Sequence, residues 1–331
     1  MFQKLTRMGG IFAILTAVSL FAIVSQGQLL VNTISVGNAP KDLAITPNGQ
    51  FAYLVNVGDD TVNVVEIHQN GTLTNNIVAT IEVGSRPHDV IFNEDGSLAF
   101  VSNRGEDTVS VIDTDTLEVV NTIASGAGPY GGAAFSGAEF VYFANATGNS
   151  ISVIDTQNFN MVAEIPVGTK PEGLSITPDG TLAYVHNSGS GDVSVIDLAT
   201  NTVIHTITNE ETGGEGSEAL LITPDGQRAF VHYVKNDVIA VIDLNTNTVI
   251  ERLILEGVGP YGGAIDPVRN VLYVSGFTNN SVLTIDINSL QVINVVSLGD
   301  GQGPQHMALT PDGRLIYVVN NSGNTLSALI R

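Results

Sequence analysis

The sequence contains no cysteine and no tryptophan, and it has few basic residues. Without cysteine, disulfides, thiolate catalysis, iron–sulfur clusters, covalently attached c-type haem and a lipoprotein anchor are all excluded. Only 12 lysines and arginines oppose 33 aspartates and glutamates, and the formal net charge is −21 at pH 7. Because Lys and Arg provide the affinity for phosphate backbones and anionic headgroups, nucleic-acid partners and acidic lipid surfaces are disfavoured.

The first 27 residues differ in composition from the rest of the chain. A short basic region is followed by the uncharged run Gly9–Val24 and then by the small residues Ser25 and Gly27. This order is typical of a secretory signal peptide, and the run is shorter than the ~20 residues of a membrane-spanning helix. We predict a signal peptide over residues 1–27, with an uncleaved N-terminal anchor as the alternative. Residues 28–331 are then predicted to be secreted, periplasmic or at the cell surface, without membrane insertion once the signal is removed.

After residue 28 the sequence repeats a unit of 42 to 47 residues. Each unit begins with a G-x-x-P-like motif, whose last residue we call the anchor: Pro40, Pro87, Pro129, Pro171, Ser217, Pro260 and Pro304. Thirteen residues after each anchor comes an aromatic residue: Tyr53, Phe100, Tyr142, Tyr184, Phe230, Tyr273 and Tyr317.

The fourth unit shows how each unit divides into four strands. GLSI is followed by the turn TPDG, and then come LAYVHN, VSVID and TVIHTI. The turns contain Pro and Gly at the positions that turn geometry requires, and the strands are rich in β-branched residues. Four short antiparallel strands at this period are typical of a propeller blade. The sequence therefore predicts an all-β, single-domain, seven-bladed β-propeller over residues 28–331.

The two ends of the repeat region are incomplete in complementary ways. LLVNTI, Leu29–Ile34, resembles the end of a unit with nothing before it, whereas the unit that starts at Pro304 has only three strands. Pairing these ends would close the ring and remove an exposed sheet edge. We therefore expect Leu29–Ile34 to be the outermost strand of the last blade.

AYVHN, the VSVID runs and the G-x-x-P…TPDG pairs resemble the YVTN-repeat β-propellers. The resemblance extends from Leu29 to the C-terminus and implies a WD40-like propeller related to lactonase-type and surface-layer proteins. Such proteins are often secreted or displayed by bacteria and archaea, and some relatives are subunits that hold redox cofactors. Because the repeated residues build the blades, the resemblance does not select among these functions.

The residues that follow each anchor should surround the mouth of the central channel, and they differ from blade to blade. The first position reads Lys41, His88, Tyr130, Glu172, Glu218, Tyr261 and Gln305, and the second position adds Asp42, Asp89 and His306. A polar and aromatic ring that departs from the repeat is what a small-ligand site would show. We therefore predict that the first-position residues, together with Asp42 and His306, bind a ligand.

Two parts of this ring suggest chemistry. His88, Asp89 and His306 are candidate catalytic residues, because a histidine beside an aspartate can act as a general base. Glu172, His186, Glu218 and His232 are candidate ligands for a divalent metal ion. Equivalent residues of neighbouring blades should be ~10 Å apart, however, so packing between blades is the competing interpretation of the two histidines.

Tyr130 and Tyr261 come from two copies of GPYGGA that are three blades apart. They should nearly face each other, where both rings can stack on a flat ligand.

The sequence favours a non-enzymatic function. No serine in a nucleophile-elbow motif and no glycine-rich phosphate loop is present. We predict a monomeric extracytoplasmic binding or scaffold propeller that contacts a protein or small molecule through the channel mouth. The alternatives are a metal-assisted, lactonase-like hydrolase and a propeller subunit that holds a redox cofactor with a partner chain. The sequence requires no cofactor. A divalent metal ion is the one cofactor for which it contains candidate ligands.

Overall fold

The structure, a computed structural model, describes residues 29–69, 72–135 and 139–330. The signal peptide predicted for residues 1–27 lies outside these ranges. Within them the chain forms seven four-stranded antiparallel sheets. No helix in this part of the chain has the length and apolar character needed to cross a membrane.

The strands follow the chain in blade order. The N-terminal strand is β1 (Leu29–Ser35). Blade one comprises β2 (Pro40–Ile45), β3 (Phe51–Asn56), β4 (Thr61–Gln69) and β5 (Thr72–Glu82). Blade two comprises β6 (Pro87–Phe92), β7 (Leu98–Asn103), β8 (Thr108–Asp113) and β9 (Glu118–Ala124). Blade three comprises β10 (Pro129–Ala134), β11 (Phe140–Asn145), β12 (Ser150–Asp155) and β13 (Asn160–Pro166).

Blade four comprises β14 (Pro171–Ile176), β15 (Leu182–Asn187), β16 (Val193–Asp197) and β17 (Thr202–Ile207), and the short helix α1 (Asn209–Thr212) follows. Blade five comprises β18 (Ser217–Ile222), β19 (Arg228–Tyr233), β20 (Val238–Asp243) and β21 (Thr248–Ile254). Blade six comprises β22 (Pro260–Asp266), β23 (Val271–Gly276), β24 (Ser281–Asp286) and β25 (Val292–Ser297). Blade seven contains β26 (Pro304–Leu309), β27 (Leu315–Asn320) and β28 (Thr325–Ile330).

The predicted strands of blade four agree with the observed ones. Three of them have the predicted limits, and β14 begins at the anchor, two residues before GLSI. The one-turn helix α1 was not predicted. It lies in the acidic loop before blade five, where the Glu211 carboxylate accepts a hydrogen bond from the Thr208 N–H at 2.8 Å.

The ring is closed by the N-terminal strand, as predicted. β1 pairs antiparallel with β28, and the register runs from Leu29 opposite Ile330 to Ser35 opposite Thr325. The hydroxyl oxygens of Thr33 and Ser327 are 3.2 Å apart across this pair. Ile34 packs against the apolar core between blades seven and one, so the seam is joined by both hydrogen bonds and hydrophobic contacts.

The core is a ring of seven interfaces rather than one central mass. Each of seven apolar clusters joins two neighbouring blades. The aromatic residues that recur after each anchor are all buried in these interfaces: Tyr53, Phe100, Tyr142, Tyr184, Phe230, Tyr273 and Tyr317. Sheets that pack face to face in a circle bury both faces of every blade, which explains the near-continuous apolar strands.

The recurring polar residues also have structural roles. In blade three, Asn145 Nδ2 donates to the hydroxyls of Ser150 and Ser152, both at 2.9 Å. The Gly126 of the same blade lies over this asparagine, and a Cβ there would come within 2.2 Å of its Nδ2. The repeat consensus is therefore accounted for by the construction of the blade.

The outermost strands show how the propeller protects its edges. Every outermost strand carries a β-bulge at an exposed apolar residue: Val31, Val78, Val120, Val162, Ile204, Ile250 and Ile293. A bulge increases the local twist and interrupts the row of free backbone groups. The rim is thus a poor template for pairing with another sheet.

Candidate functional site

The innermost strand of each blade has an irregular start. In β2 the anchor Pro40 lies opposite Asn56, but the next pair is Leu43 with Leu54, so Lys41 and Asp42 form a bulge. A register shift directly after the anchor recurs in the other six blades. Bulges re-aim side chains, and these bulges bring the predicted mouth residues together at the channel.

The mouth is closely packed. Most first-position side chains are only 5% to 8% exposed: Lys41, His88, Tyr130, Glu172, Tyr261 and Gln305. A cavity of about 130 Å³ lies in the channel, and the residues singled out in the sequence that line it are Asp42, His88, Asp89, Tyr130, Glu172, His186, Glu218 and His306. The mouth residues therefore contact one another around a small polar chamber, which we call the channel cavity.

Lys41 reaches across the channel from blade one. Its ammonium group donates a hydrogen bond to the Tyr261 hydroxyl and lies 3.8 Å from Glu218 Oε2. The same nitrogen is 4.5 Å from the ring centroid of Tyr261 and 5.7 Å from that of Tyr130. Burial lowers the pKa of Lys41, and the charges of Glu218 and Asp42 partly oppose this. A lysine of the chain itself thus lies near both tyrosines that were predicted to stack on a ligand.

Asp42, Asp89 and His306 form one cluster beside the ring closure. Asp42 Oδ2 lies 3.3 Å from His306 Nδ1, and the Asp42 and Asp89 carboxyls are hydrogen-bonded to each other. Asp89 also accepts hydrogen bonds from the N–H groups of Gly132 at 2.6 Å and Val90 at 2.7 Å. We call Asp42, Asp89 and His306 the acid cluster.

The pKa values of all three residues in the acid cluster are shifted from their ordinary values. Burial raises the pKa of Asp89 to about 6, although its backbone donors favour the ionised form. Burial and then the charge of Asp89 raise the pKa of Asp42 well above its ordinary value. Two adjacent carboxyls, one buried on Asp89 and one partly buried on Asp42, cannot both ionise at low cost, so the pair shares one proton. Burial, followed by the charge of Lys41, lowers the pKa of His306 well below its ordinary value, so its imidazole is neutral.

His88 has a different environment from its neighbour Asp89. Its ring stacks on Tyr130 with centroids 3.3 Å apart. Burial lowers the pKa of His88 well below the ordinary value, and the charges of Lys41 and Arg104 add to this effect. Of the three catalytic candidates named from the sequence, Asp89 and His306 thus lie in the acid cluster with Asp42, whereas His88 lines the same cavity and contacts Tyr130.

The candidate metal ligands of blades four and five do not form a comparable cluster. His186 Nδ1 lies 3.2 Å from Ser217 Oγ, and His232 is fully buried beneath the Tyr261–Gly262 backbone. Burial lowers the pKa of each histidine to about 4. Glu172 Oε1 lies 2.6 Å from Lys170 Nζ. Within residues 29–69, 72–135 and 139–330, no group of three or more His, Asp or Glu residues is arranged to hold a metal ion.

Sequence reasoning overlooked Arg86 and Arg104. They line a second pocket, of about 230 Å³, together with Lys41, His88, Gln305 and Asn321. Arg104 lies 5.3 Å from the Tyr130 ring centroid. The sequence did mark Arg104 as a departure from the repeat. It directly follows the last residue of β7, and no other blade has a charged residue at that position.

The comparisons with known proteins agree with this architecture. Residues 37–218 match the family model described as "Lactonase, 7-bladed beta-propeller". Among solved structures the chain is similar to a chain of Kuenenia stuttgartiensis hydrazine synthase, with a TM-score of 0.80 and 22% identity over 88% of this chain and 96% of that chain. At this identity the likeness shows the fold alone. No curated protein matches the chain.

The family match spans more than half of the 331 residues and contains the first five anchors. The blade count, the closure by β1 and this match agree with the lactonase-type resemblance expected from the repeat. The chain therefore belongs to the lactonase family of seven-bladed β-propellers.

Proposed function

We propose that the protein hydrolyses small lactones in the channel cavity, with the acid cluster as its acid–base group. The supporting observation is the contact of Asp42 with Asp89 and, at 3.3 Å, with His306, in a cavity of a lactonase-family propeller. Burial raises the pKa of both carboxyls and lowers that of the histidine. Strongly shifted titratable groups in a cleft are typical of functional sites. The proposal favours the enzymatic alternative over the binding module that the sequence favoured.

The cluster has the groups that this reaction requires. Water adds to the ester carbonyl, the acyl C–O bond breaks, and the leaving alkoxide takes up a proton to become a hydroxyl. Asp89 is ionised above about pH 6 and can accept the proton of the attacking water. Asp42 carries the shared proton and can protonate the alkoxide, while neutral His306 holds Asp42 Oδ2 in place. Two carboxyls whose environments separate their pKa values make such an acid–base pair.

The size of the cavity restricts the substrate. At about 130 Å³ the channel cavity is well below the range of roughly 300 to 1,000 Å³ that holds drug-sized ligands. We therefore expect a small-ring substrate such as a γ- or δ-lactone.

The metal-assisted form of the hydrolase has no fitting set of ligands among the described residues. No step of the proposed reaction passes through a metal ion, and activity should survive treatment with a chelator.

The test is proton release from a panel of γ- and δ-lactones, with linear esters for comparison. Asp89→Asn and Asp42→Asn preserve shape but abolish titration, and each should lower turnover about 10²- to 10⁴-fold. Asp115→Asn, at an exposed turn of blade two, is the matched control and should retain full activity. The proposal fails if no lactone is turned over, or if Asp89→Asn hydrolyses lactones as fast as the unaltered protein.

A binding module at the channel mouth is the second candidate. It is favoured by the contact of Lys41 with Tyr261 and Glu218, which joins blades one, five and six across the mouth. Ligand-induced thermal stabilisation without turnover would support it. That the chain is a subunit holding a redox cofactor stays a prediction. The likeness to hydrazine synthase is at 22% identity and shows only that the two chains share a fold.

The extracytoplasmic location is likewise a prediction from residues 1–27. N-terminal sequencing of the protein isolated from its native cells tests it: a start at residue 28 supports cleavage and export, and an intact N-terminus contradicts it.

A further inference from the structure

We propose that the second pocket, at the outer mouth between blades seven, one and two, is a binding site for a small oxyanion such as a carboxylate or phosphate. We call it the basic pocket and define it by Lys41, Arg86, His88, Arg104, Gln305 and Asn321. It meets the channel cavity only at His88, which lines both. The inference does not depend on lactone hydrolysis.

Positive charge is concentrated here in a strongly acidic protein. Of the 12 lysines and arginines, Lys4, Arg7 and Arg331 lie outside the described residues, which leaves nine. Three of these nine line the basic pocket. At a formal net charge of −21, carboxylates greatly outnumber cations along the chain. Composition alone therefore does not explain a cluster of cations in this pocket.

The two guanidinium groups are not neutralised by the protein. Among the described residues, no carboxylate lies within ion-pair distance of either guanidinium group, whereas the charged groups of Lys41, Lys170 and Arg314 each have one. The Asp60 carboxylate contacts the backbone of Arg86 instead, where it accepts a hydrogen bond from the N–H at 2.7 Å. The Arg104 guanidinium stacks on the uncharged ring of Tyr130. Two guanidinium groups that line one pocket without a paired carboxylate are suited to an oxyanion, because their planar forks match its oxygens.

The backbone conformation of Arg86 is set by the repeat. Arg86 precedes the anchor Pro87 and has φ of 52°, in the left-handed region. Four of the seven blades have glycine at this position: Gly128, Gly216, Gly259 and Gly303. Glycine adopts this conformation without strain. Ala39 and Lys170 occupy this position in blades one and four, with φ of 49° and 54°, so the left-handed backbone belongs to the repeat and fixes where the Arg86 side chain leaves the chain.

The shape and floor of the pocket define the ligand further. About 230 Å³ accommodates a small anion or short acid rather than a drug-sized molecule. Its floor is formed by the buried side chains of Lys41 and His88. Asn321 donates its Nδ2 to the Pro40 carbonyl at 2.9 Å, which fixes the blade-seven wall against blade one. The pocket is therefore a preformed cleft and not a loose patch of surface charge.

The test is calorimetric titration of inorganic phosphate, and separately of citrate, into the purified full-length chain at constant ionic strength. We expect saturable binding that weakens about tenfold or more in Arg86→Met and in Arg104→Met, because each loses a charge-assisted contact. Methionine preserves much of the apolar stem. Tighter binding of phosphate or of citrate identifies the preferred oxyanion.

Arg269→Met is the matched control, since Arg269 is an exposed arginine in the turn between β22 and β23. It should bind both anions like the unaltered protein. Arg86 is also exposed, so its substitution remains informative even if Arg104→Met fails to fold.

The proposal is overturned if neither anion binds saturably, or if Arg86→Met binds both as tightly as Arg269→Met does. Asp89→Asn separates this site from the proposed enzyme: it should lower hydrolysis about 10²- to 10⁴-fold and leave anion binding intact.

Discussion

Two sectors of the channel contain similar residue types but behave differently. The closure sector, on blades one, two and seven, contains Asp42, Asp89 and His306, whose side chains meet in the cavity. The far sector, on blades four and five, contains His186 and His232 with nearby glutamates. Its histidines lie on the second strand of each blade: His186 lines the channel cavity, whereas His232 is fully buried and does not line it.

The difference shows that position within the blade matters more than residue type. A residue in the bulge after the anchor is turned into the channel, where it can meet residues from other blades. A residue on the second strand packs beneath the inner strand: a Cβ at Gly173 would come within 2.7 Å of His186 Nε2, and one at Gly263 within 2.8 Å of the His232 ring. Imidazole and carboxylate therefore combine in one sector and not in the other.

The largest expected effect comes from breaking the seam that supports the closure sector. Replacing Leu29–Ile34 with a Gly-Ser segment of equal length removes the pairing of β1 with β28. If each cross-strand hydrogen bond contributes about 1 kcal/mol, the free energy of unfolding should fall by about 5 kcal/mol. Denaturant unfolding measures this change. Hydrogen exchange should show loss of protection in β26–β28 before any change in blades four and five.

Val31→Thr is the control for the seam, because Val31 is an exposed bulge residue that faces solvent. Its effect should stay within about 0.5 kcal/mol. If the Gly-Ser segment is equally harmless, β1 does not close the ring.

The second prediction compares one substitution in the two sectors. His306→Ala removes the group that holds Asp42 and should lower lactone turnover at least about 10²-fold. His232→Ala leaves a cavity between blades and should reduce the free energy of unfolding by about 2 to 4 kcal/mol with little change in turnover. Steady-state kinetics and denaturant melts on both variants check this. Equal kinetic losses in the two variants would mean that the sectors do not differ in function.

The third prediction uses pH, because Asp89 of the closure sector and the two histidines of the far sector respond to acid with opposite signs. The raised pKa of Asp89, about 6 in the folded state against an ordinary value of 3.8, means that folding takes up a proton in this window. Its contribution to stability is therefore present at low pH and is lost as pH rises through about 6. The pKa values of His186 and His232 are lowered from 6.5 to about 4, so their contribution is present above 6.5 and is lost as pH falls. Each effect is on the order of 3 kcal/mol over the full window.

Denaturant melts at pH 7 and pH 5 measure the two effects separately. Asp89→Asn should lose more stability on acidification than the unaltered protein, and His232→Ala should lose less. Asp115→Asn should follow the unaltered protein. Parallel pH responses of Asp89→Asn and His232→Ala would refute the assigned directions.

The smallest expected effect concerns the link between the sectors. Tyr261 connects Lys41 of blade one to Glu218 of blade five through its hydroxyl, whereas Tyr130 contributes its ring to His88. Tyr261→Phe should reduce the free energy of unfolding by about 1 kcal/mol, and Tyr130→Phe by less than half of that. Thermal melts of the two variants compare them directly, and a larger loss in Tyr130→Phe would contradict this division of roles.

Much of the architecture could be predicted because the repeat encodes it locally. The TPDG turns, the alternation of short strands and the aromatic after each anchor specify one blade, and seven copies with complementary ends specify a closed ring. The helix α1 was missed because one turn of four residues has no apolar periodicity to detect. The list of mouth residues was also predictable, since it needed only the departures from the repeat.

The sequence by itself determined the number of blades, the closing strand and the residues that surround the channel, because these follow from short-range patterns repeated along the chain. Only the tertiary structure decided which of those residues touch. The pairing of Asp42 with Asp89, the placement of Lys41 near two tyrosines and the basic pocket of Arg86 and Arg104 join different blades. Their distances depend on the bulges and side-chain packing of a closed ring, for which no local pattern exists.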